Sequence, residues 1–387
     1  MADLILTVNA GSSSLKFAVY EAAHNLTLKA KGQVSGLASG VEANLQIDVA
    51  DARLFDGPIK ADGHVEAFEE ILKHGRELFS EDKVVGVGHR VVHGGITFDK
   101  PVVLTSEVIE ELRSFEPLAP LHQPHNLASV DAAKAAFTEA IHVAGFDTAF
   151  HRTHPWVNDT FCLPRKWYDE GVRRYGFHGL SYDYITSWLR EHRPDLASGR
   201  VVIAHLGNGA SMCAVRDGKS VGSTMGFSAL DGLPMGTRCG QIDPGVLLYM
   251  MDQKGMSAEQ ISDLLYKESG LKGLSGKTND MRVLEASDEP ACQQAIDYFV
   301  FRIRRELGGM SAVLGGLDGV IFCGGIGENS AFIRQRICEG MEWLGISLDE
   351  NANAGNEIDI SRGTVSVLAV PTNEEIVLAR AAFDHLQ

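Results

Sequence analysis

The chain has 387 residues, 44% of them hydrophobic and 22% charged, with a net charge of −16 at pH 7. That length exceeds what one core usually supports, so two domains are expected, and the acidity argues against nucleic acid or an anionic membrane surface as main partner, since both demand a basic footprint. No long apolar span, basic leader or CxxC pair among the six cysteines is present, so a disulfide framework, a zinc ribbon and a membrane span are not signalled and a reducing cytoplasm is the expected home.

The chain opens with "LILTVNAGSSSLKFAVY" at 4–20, two apolar runs around a loop of small and hydroxyl residues ending in Lys16. Further Val- and Ile-rich runs, each short enough for a buried strand, follow at 84–92, 140–150, 201–207, 319–325 and 365–371. Helical patterns lie between them. "SEVIEELRSF" is one; in "SAEQISDLLYKESG", Ser257 and Gln260 have capping-box spacing and Gly270 reads as the stop. The alternation gives the class α/β.

The segment "VIAHLGNGASMCAVRDGKSVGS" weakly echoes the opening: strand, small-residue turn, strand, with Asp217-Gly218 as the next hairpin turn. Two copies of one layout suggest two similarly built domains across a cleft. Histidines spaced four apart (His89, His93) or three apart (His122/His125, His151/His154) invite a metal reading. HExxH is missing and Pro124 and Pro155 disturb the pairs, so loop and rim histidines are favoured.

Three Gly-rich loops follow strand-like runs: "NAGSSSLK" at 9–16, "HLGNGAS" at 205–211 and "CGGIGENS" at 323–330. Small side chains let backbone N–H groups approach a phosphate, and three such loops favour a nucleotide where one could be a mere turn. The P-loop pattern is missed twice, with Cys213 and Leu271 where its first glycine belongs, and GxGxxG fails at Val91. What remains is the actin-like, ribonuclease H-like or sugar-kinase type, in which two duplicated α/β domains hold ATP in a central cleft.

Arg90 in "GHRVVHGG", His122 in "PLAPLHQPHN", Asp147 in "FDTAFH", His178 in "YGFHG" and Arg238 in "GLPMGTRCGQIDP" accompany those loops and "PTNEE". Together they resemble the acetate kinase family of acetate and propionate kinases, from residue 4 to the last helix. The resemblance implies reversible transfer of the γ-phosphoryl group of ATP to a short carboxylate, giving an acyl phosphate and ADP. Such a transfer puts negative charge on several oxygens at once, so it needs alignment and neutralisation, which an arginine fork supplies. By resemblance Arg90 holds the carboxylate, Arg238 the transferring phosphate, and His178 stabilises the transition state; taken alone, the arginines read as surface ion pairs and the histidine as packing.

Asp147 matches the family's acid/base position. A carboxylate substrate is already ionised, so orienting an arginine is the better physical role, against a plain strand-end turn. The resemblance places Mg²⁺, with Mn²⁺ as substitute, near Asn9 and Glu374; Glu375 has capping-box spacing to Thr372, which leaves Glu374 for the metal. Ser12, Ser14 and Lys16 would reach the phosphates, as would His205, Leu206, Gly207, Asn208 and Gly209. Asp280, Met281, Arg282 and the segment Gly325, Ile326, Gly327, Glu328 and Asn329 would surround the adenosine, although Met is more often core filler.

With His122 lining the substrate site, the acyl pocket would comprise Val92, Leu121 and Phe177. Its fourth position, usually proline in this family, is Ala229 in "SALDG", and Gln241 stands where an acidic residue is common. Val92 points to acetate, with a propionate kinase as alternative. An actin-like ATPase shares the fold but has no need of two arginines and a histidine around an apolar pocket, and a sugar kinase would want a catalytic Asp and several polar side chains there. The expected domains are residues 1–148 with 370–387, and 149–369, closing to exclude water. A homodimer is implied by the family.

Overall fold

The computed structural model describes residues 2–11, 14–37, 42–50, 52–120 and 122–387. Ser12 and Leu121 lie outside them. The chain divides into two compact units, Met1–Phe150 with Asn373–Gln387, and His151–Thr372.

The first unit is built on β1 (Asp3–Ala10), β2 (Ser14–Glu21), β3 (Leu28–Ser35), β4 (Ala43–Val49), β5 (Ala52–Ile59), β6 (Lys83–Val91), β7 (Val102–Val103) and β8 (Ile141–Phe146), in the sheet order β5-β4-β3-β2-β1-β6-β8-β7. The second is built on β9 (Arg200–Leu206), β10 (Ala210–Arg216), β11 (Lys219–Ser223), β12 (Gly319–Cys323) and β13 (Ser366–Ala369), in the order β11-β10-β9-β12-β13. Each sheet contains a run of five strands in which two antiparallel pairings are followed by two parallel ones. β3-β2-β1-β6-β8 thus has the order and sense of β11-β10-β9-β12-β13, so the sequence echo is a structural duplication and the α/β class stands.

β1 is buried at every position after Asp3, as a central strand covered on both faces must be. Alternation splits its side chains: Leu4, Leu6 and Val8 pack with Phe68 and Ile71 of the helix His64–Leu78, while Ile5 packs with Ala379 and Ala382 of the last helix, Glu374–Asp384. The last helix lies very close to β6. A Cβ on Gly88 would fall 2.4 Å from the Leu378 carbonyl oxygen, so only glycine permits that approach. A cavity of about 370 Å³ remains on the other face, lined by Leu4, Leu6, Phe17, Ile71, Leu72 and Gly75.

Asp217 and Gly218 both have positive φ, 51° and 70°, and close the β10–β11 hairpin as expected. The Ser257–Gln260 capping box forms. Its helix stops earlier than the sequence suggests, at Asp263, and after the turn Leu264–Glu268 Gly270 opens the next helix instead of ending this one. Among the described residues no helix is long and apolar enough to cross a membrane.

Candidate active site

In the first unit Arg90, the last residue but one of β6, lies beside Asp147, which directly follows β8's end at Phe146. Arg90 Nε donates to Asp147 Oδ1 at 2.9 Å and Nη2 to Oδ2 at 2.6 Å, while Nη1 donates to Asn9 Oδ1 at 3.0 Å. Asp147 is 2% exposed. A guanidinium has five N–H groups, so these three bonds leave two, one on each terminal nitrogen. Burial alone would lower the Arg90 pKa; the charge and hydrogen bonds of Asp147, with Glu374 and Glu375, outweigh it and raise the pKa. The guanidinium is permanently charged and rigidly aimed.

Asn9 Nδ2 in turn donates to Glu374 Oε2 at 3.2 Å and Glu375 Oε1 at 3.4 Å. The expected capping box at Thr372 and Glu375 does not form: Asn373 caps the last helix through Ile376 N, which puts Glu375 one position too early. Glu375 therefore belongs to the same cluster as Glu374. Among the described residues no three His, Cys, Asp or Glu side chains gather to enclose a metal. Two neighbouring carboxylates and an amide nonetheless suit Mg²⁺, which uses few protein ligands and completes its shell with water and phosphate oxygens. The Asn9 oxygen is engaged by Arg90, so as it stands Asn9 braces the carboxylates.

Val92 is buried, and its N–H donates to Asn126 Oδ1 at 3.0 Å; Asn126 Nδ2 donates to the Ala10 carbonyl at 2.7 Å. His122 occupies the N-cap position of the helix Gln123–Ala136. Lys16 is exposed on β2 opposite Asn9, and Ser14 begins that strand.

In the second unit His178 precedes the helix Gly179–His192 with φ 58° and ψ 24°, a left-handed conformation uncommon outside glycine. Its Nδ1 lies 2.8 Å from Ser211 Oγ, which also bonds Tyr182 Oη, and its ring stacks on His205 at 4.3 Å. A Cβ on Gly209 would sit 3.1 Å from His178 Nε2 and 3.0 Å from Arg238 Nη2, so both nitrogens face one point above the β9–β10 loop. Arg238 Nη1 donates to the Ala229 carbonyl at 2.9 Å, and Phe177 is buried beside His178.

The remaining loop residues divide. Asn208 is exposed, whereas Leu206 is wholly buried and offers backbone only. His205 Nδ1 is paired with Ser181 Oγ at 2.9 Å. Met281 is 4% exposed, a core residue, while Asp280 and Arg282 pair with each other. Gly325–Asn329 lie in the short helix Gly324–Asn329 after β12; Glu328 Oε1 accepts from Gly324 N and Thr372 N, both at 2.9 Å, so its carboxylate ties the loop together. Gln241 Oε1 accepts from Arg302 and Arg305, so an amide oxygen serves where a carboxylate was expected.

The acetokinase family profile matches residues 4–380. The chain belongs to the acetokinase family. An acetate kinase of Methylocella silvestris is 56% identical over 98% of this chain and 97% of its own length. Among solved structures, an acetate kinase of Porphyromonas gingivalis superposes with a TM-score of 0.89 at 35% identity over the full length of both chains. A propionate kinase of Francisella tularensis gives 0.91 at 33% identity over 99% of both.

Two residues of this acetokinase site carry no sequence signal of their own. Asn126 sits in the quoted "HQPHN" but does its work from a helix. Arg334, wholly buried, donates to the carbonyls of Gly327 and Glu328 at 2.9 Å and to Asn353 Oδ1 at 2.8 Å, bracing the Gly324–Asn329 helix.

Proposed function

We propose that the protein is an acetate kinase, transferring the γ-phosphoryl group of ATP reversibly to acetate to give acetyl phosphate and ADP. The observation that carries the reading is the Arg90 fork, fixed by Asp147 and Asn9 with two N–H groups remaining, next to buried Val92. A planar pair of donors suits a carboxylate, and the apolar neighbour suits a methyl group.

One carboxylate oxygen of acetate attacks the γ-phosphorus, the bond from phosphorus to the bridging oxygen breaks, and ADP departs with the electron pair. No proton moves, so Asp147 serves by holding Arg90 rather than as a base. His178 and Arg238 donate to the oxygens of the transferring group, where charge grows. Lys16, Ser12, Ser14 and the His205–Gly209 loop take the phosphate chain, and residues 280–282 and 325–329 the adenosine side. Mg²⁺ held by Glu374, with Glu375 and Asn9 beside it, would neutralise phosphate charge.

Ala229 supports a second reading as propionate kinase, because it lacks the ring volume that proline would add. One methylene is worth about 1–3 kcal/mol in an apolar pocket, so activity on both acids is expected, with acetate preferred because Val92 keeps the pocket small. A reducing cytoplasm fits six scattered cysteines with no CxxC spacing. The helix Pro244–Lys254 buries no residue and exposes Leu248, Tyr249 and Met251, which supports a homodimer through this helix. Light scattering of wild type and of Leu248→Asp with Tyr249→Asp reports that assembly; a wild-type monomer contradicts it.

The deciding assay is ATP-dependent acyl hydroxamate formation with acetate, propionate and butyrate, with Arg238→Ala as control. Acetate favoured by about tenfold or more supports the acetate reading, equal use of propionate the alternative, and no hydroxamate with any acid ends both.

A further inference from the structure

His151 lies in a buried polar cluster that the transfer chemistry does not use. Its Nε2 is 2.9 Å from the Phe177 carbonyl and its Nδ1 2.9 Å from Ser220 Oγ. His154 Nε2 lies 2.8 Å, and Cys213 Sγ 3.1 Å, from the same hydroxyl.

These hydrogen bonds assign the ring protons of His151 and His154. A carbonyl only accepts, so His151 Nε2 carries its hydrogen, and in a neutral ring Nδ1 must then accept. Ser220 Oγ supplies that hydrogen and has its lone pairs left for donors from His154 Nε2 and Cys213 Sγ. The assignment leaves His154 Nδ1 bare, and that atom is indeed buried without a partner. Thr153 Oγ1 donates to the Ser220 carbonyl at 2.7 Å, fastening the segment to β11 a second time.

The carbonyl that His151 holds belongs to the peptide joining Phe177 to His178. His178 has φ 58°, and such a residue relaxes to ordinary backbone most easily by flipping the preceding peptide, which swings that carbonyl away. The ring also presses on Gly176, where φ is 73° and a Cβ would lie 2.5 Å from His151 Cδ2. Ring and loop are fitted to each other.

We propose that His151 is a positioning residue for phosphoryl transfer: by donating to the Phe177 carbonyl it keeps His178 in the left-handed conformation that aims its Nε2 at the point above Gly209. This rests on the reading of His178 as a donor to the transferring phosphoryl group. Ser220 acts one bond further out, by fixing the tautomer of His151. Burial holds His151 and His154 well below the usual histidine range, so the device stays neutral through the working pH range.

The test uses His151→Leu, His151→Gln, His178→Ala and the double variant His151→Leu with His178→Ala, by hydroxamate assay and by ¹⁵N-histidine spectra of the His178 ring. His151→Leu should lower kcat about tenfold or more with the KM for ATP within about twofold, and His151→Gln, whose amide can still donate to the carbonyl, should recover most of it. On the His178→Ala background His151→Leu should cost less than about twofold more. An unaltered kcat in His151→Leu, an equal loss on both backgrounds, or no recovery with glutamine would overturn the proposal. If His151→Leu does not fold, Ser220→Ala takes its place, and unchanged activity and an unchanged His178 ring signal there would count against it. A wild type without hydroxamate activity removes the kinase reading instead, and the spectra still report whether His151 fixes the His178 ring.

Discussion

At the scale of single residues, the Arg90–Asp147 pair decides most. Removing one member of a buried pair strands the other, so Asp147→Ala should cost about 3 kcal/mol of stability in urea titrations as well as activity. Asp147→Asn keeps one acceptor for Arg90 but turns an amide nitrogen toward the other donor. Its kcat/KM should fall by about 100-fold, with the pH–rate profile of wild type and variant equally flat between about pH 6 and 9. A carboxyl limb present in wild type and lost in Asn would instead mark an acid/base. Ala229→Pro should shift preference toward acetate by about tenfold, read as the ratio of kcat/KM values for acetate and propionate. Arg90, His178 and Arg238 stood out through the motifs around them and the family resemblance those carry, since each taken alone reads as an ion pair or as packing. Their supports were not: Asn126, His151 and Arg334 act through contacts with backbone distant in sequence, and nothing in their own neighbourhoods announces it.

At the scale of elements, the same substitution should have opposite signs at two glycines of the first unit. Gly88→Ala drives a methyl group into the Leu378 carbonyl and should destabilise by about 2 kcal/mol, displacing the helix that carries Glu374. Gly75→Ala meets nothing within 4 Å, lies inside a helix and faces the 370 Å³ cavity, so a gain of about 1 kcal/mol is expected. Urea midpoints of the two variants check both. The buried strands β1, β6, β8, β9, β12 and β13 were readable as continuous apolar runs. β3, β4 and β5 were not. β4 buries Ala43, Leu45 and Ile47 between polar partners, and β5 is an exposed edge bearing Arg53, Asp56 and Pro58, so a search for unbroken apolarity passes over both. The shortened helix after Ser257 escaped for another reason: its pattern continues into Leu264–Glu268 although its hydrogen bonding changes there.

At the scale of the whole molecule, buried neutral histidines set the acid limit of stability. Burial lowers the pKa of His89 and His142 in one unit and of His151 and His154 in the other, His154 to about 3. Unfolded, each takes up a proton near 6.5, so below that pH the unfolded chain binds more protons than the folded one. Their stability is full above 6.5 and is lost as the pH falls toward each folded pKa, which for His154 is about 3. Urea midpoints should therefore match at about pH 8 and 7 and drop between about 6 and 5, whereas a drop confined to below about pH 4 would assign acid unfolding to carboxylates. The division of the chain has a further outcome during synthesis. Asn9, Arg90 and Asp147 are made before the second unit, whereas Glu374, Glu375 and the helix that packs against β6 are made after it. The first unit is thus completed only after the second has been made, so a chain interrupted before residue 373 carries Arg90 and Asp147 without Glu374 and Glu375 and lacks the helix that covers β6.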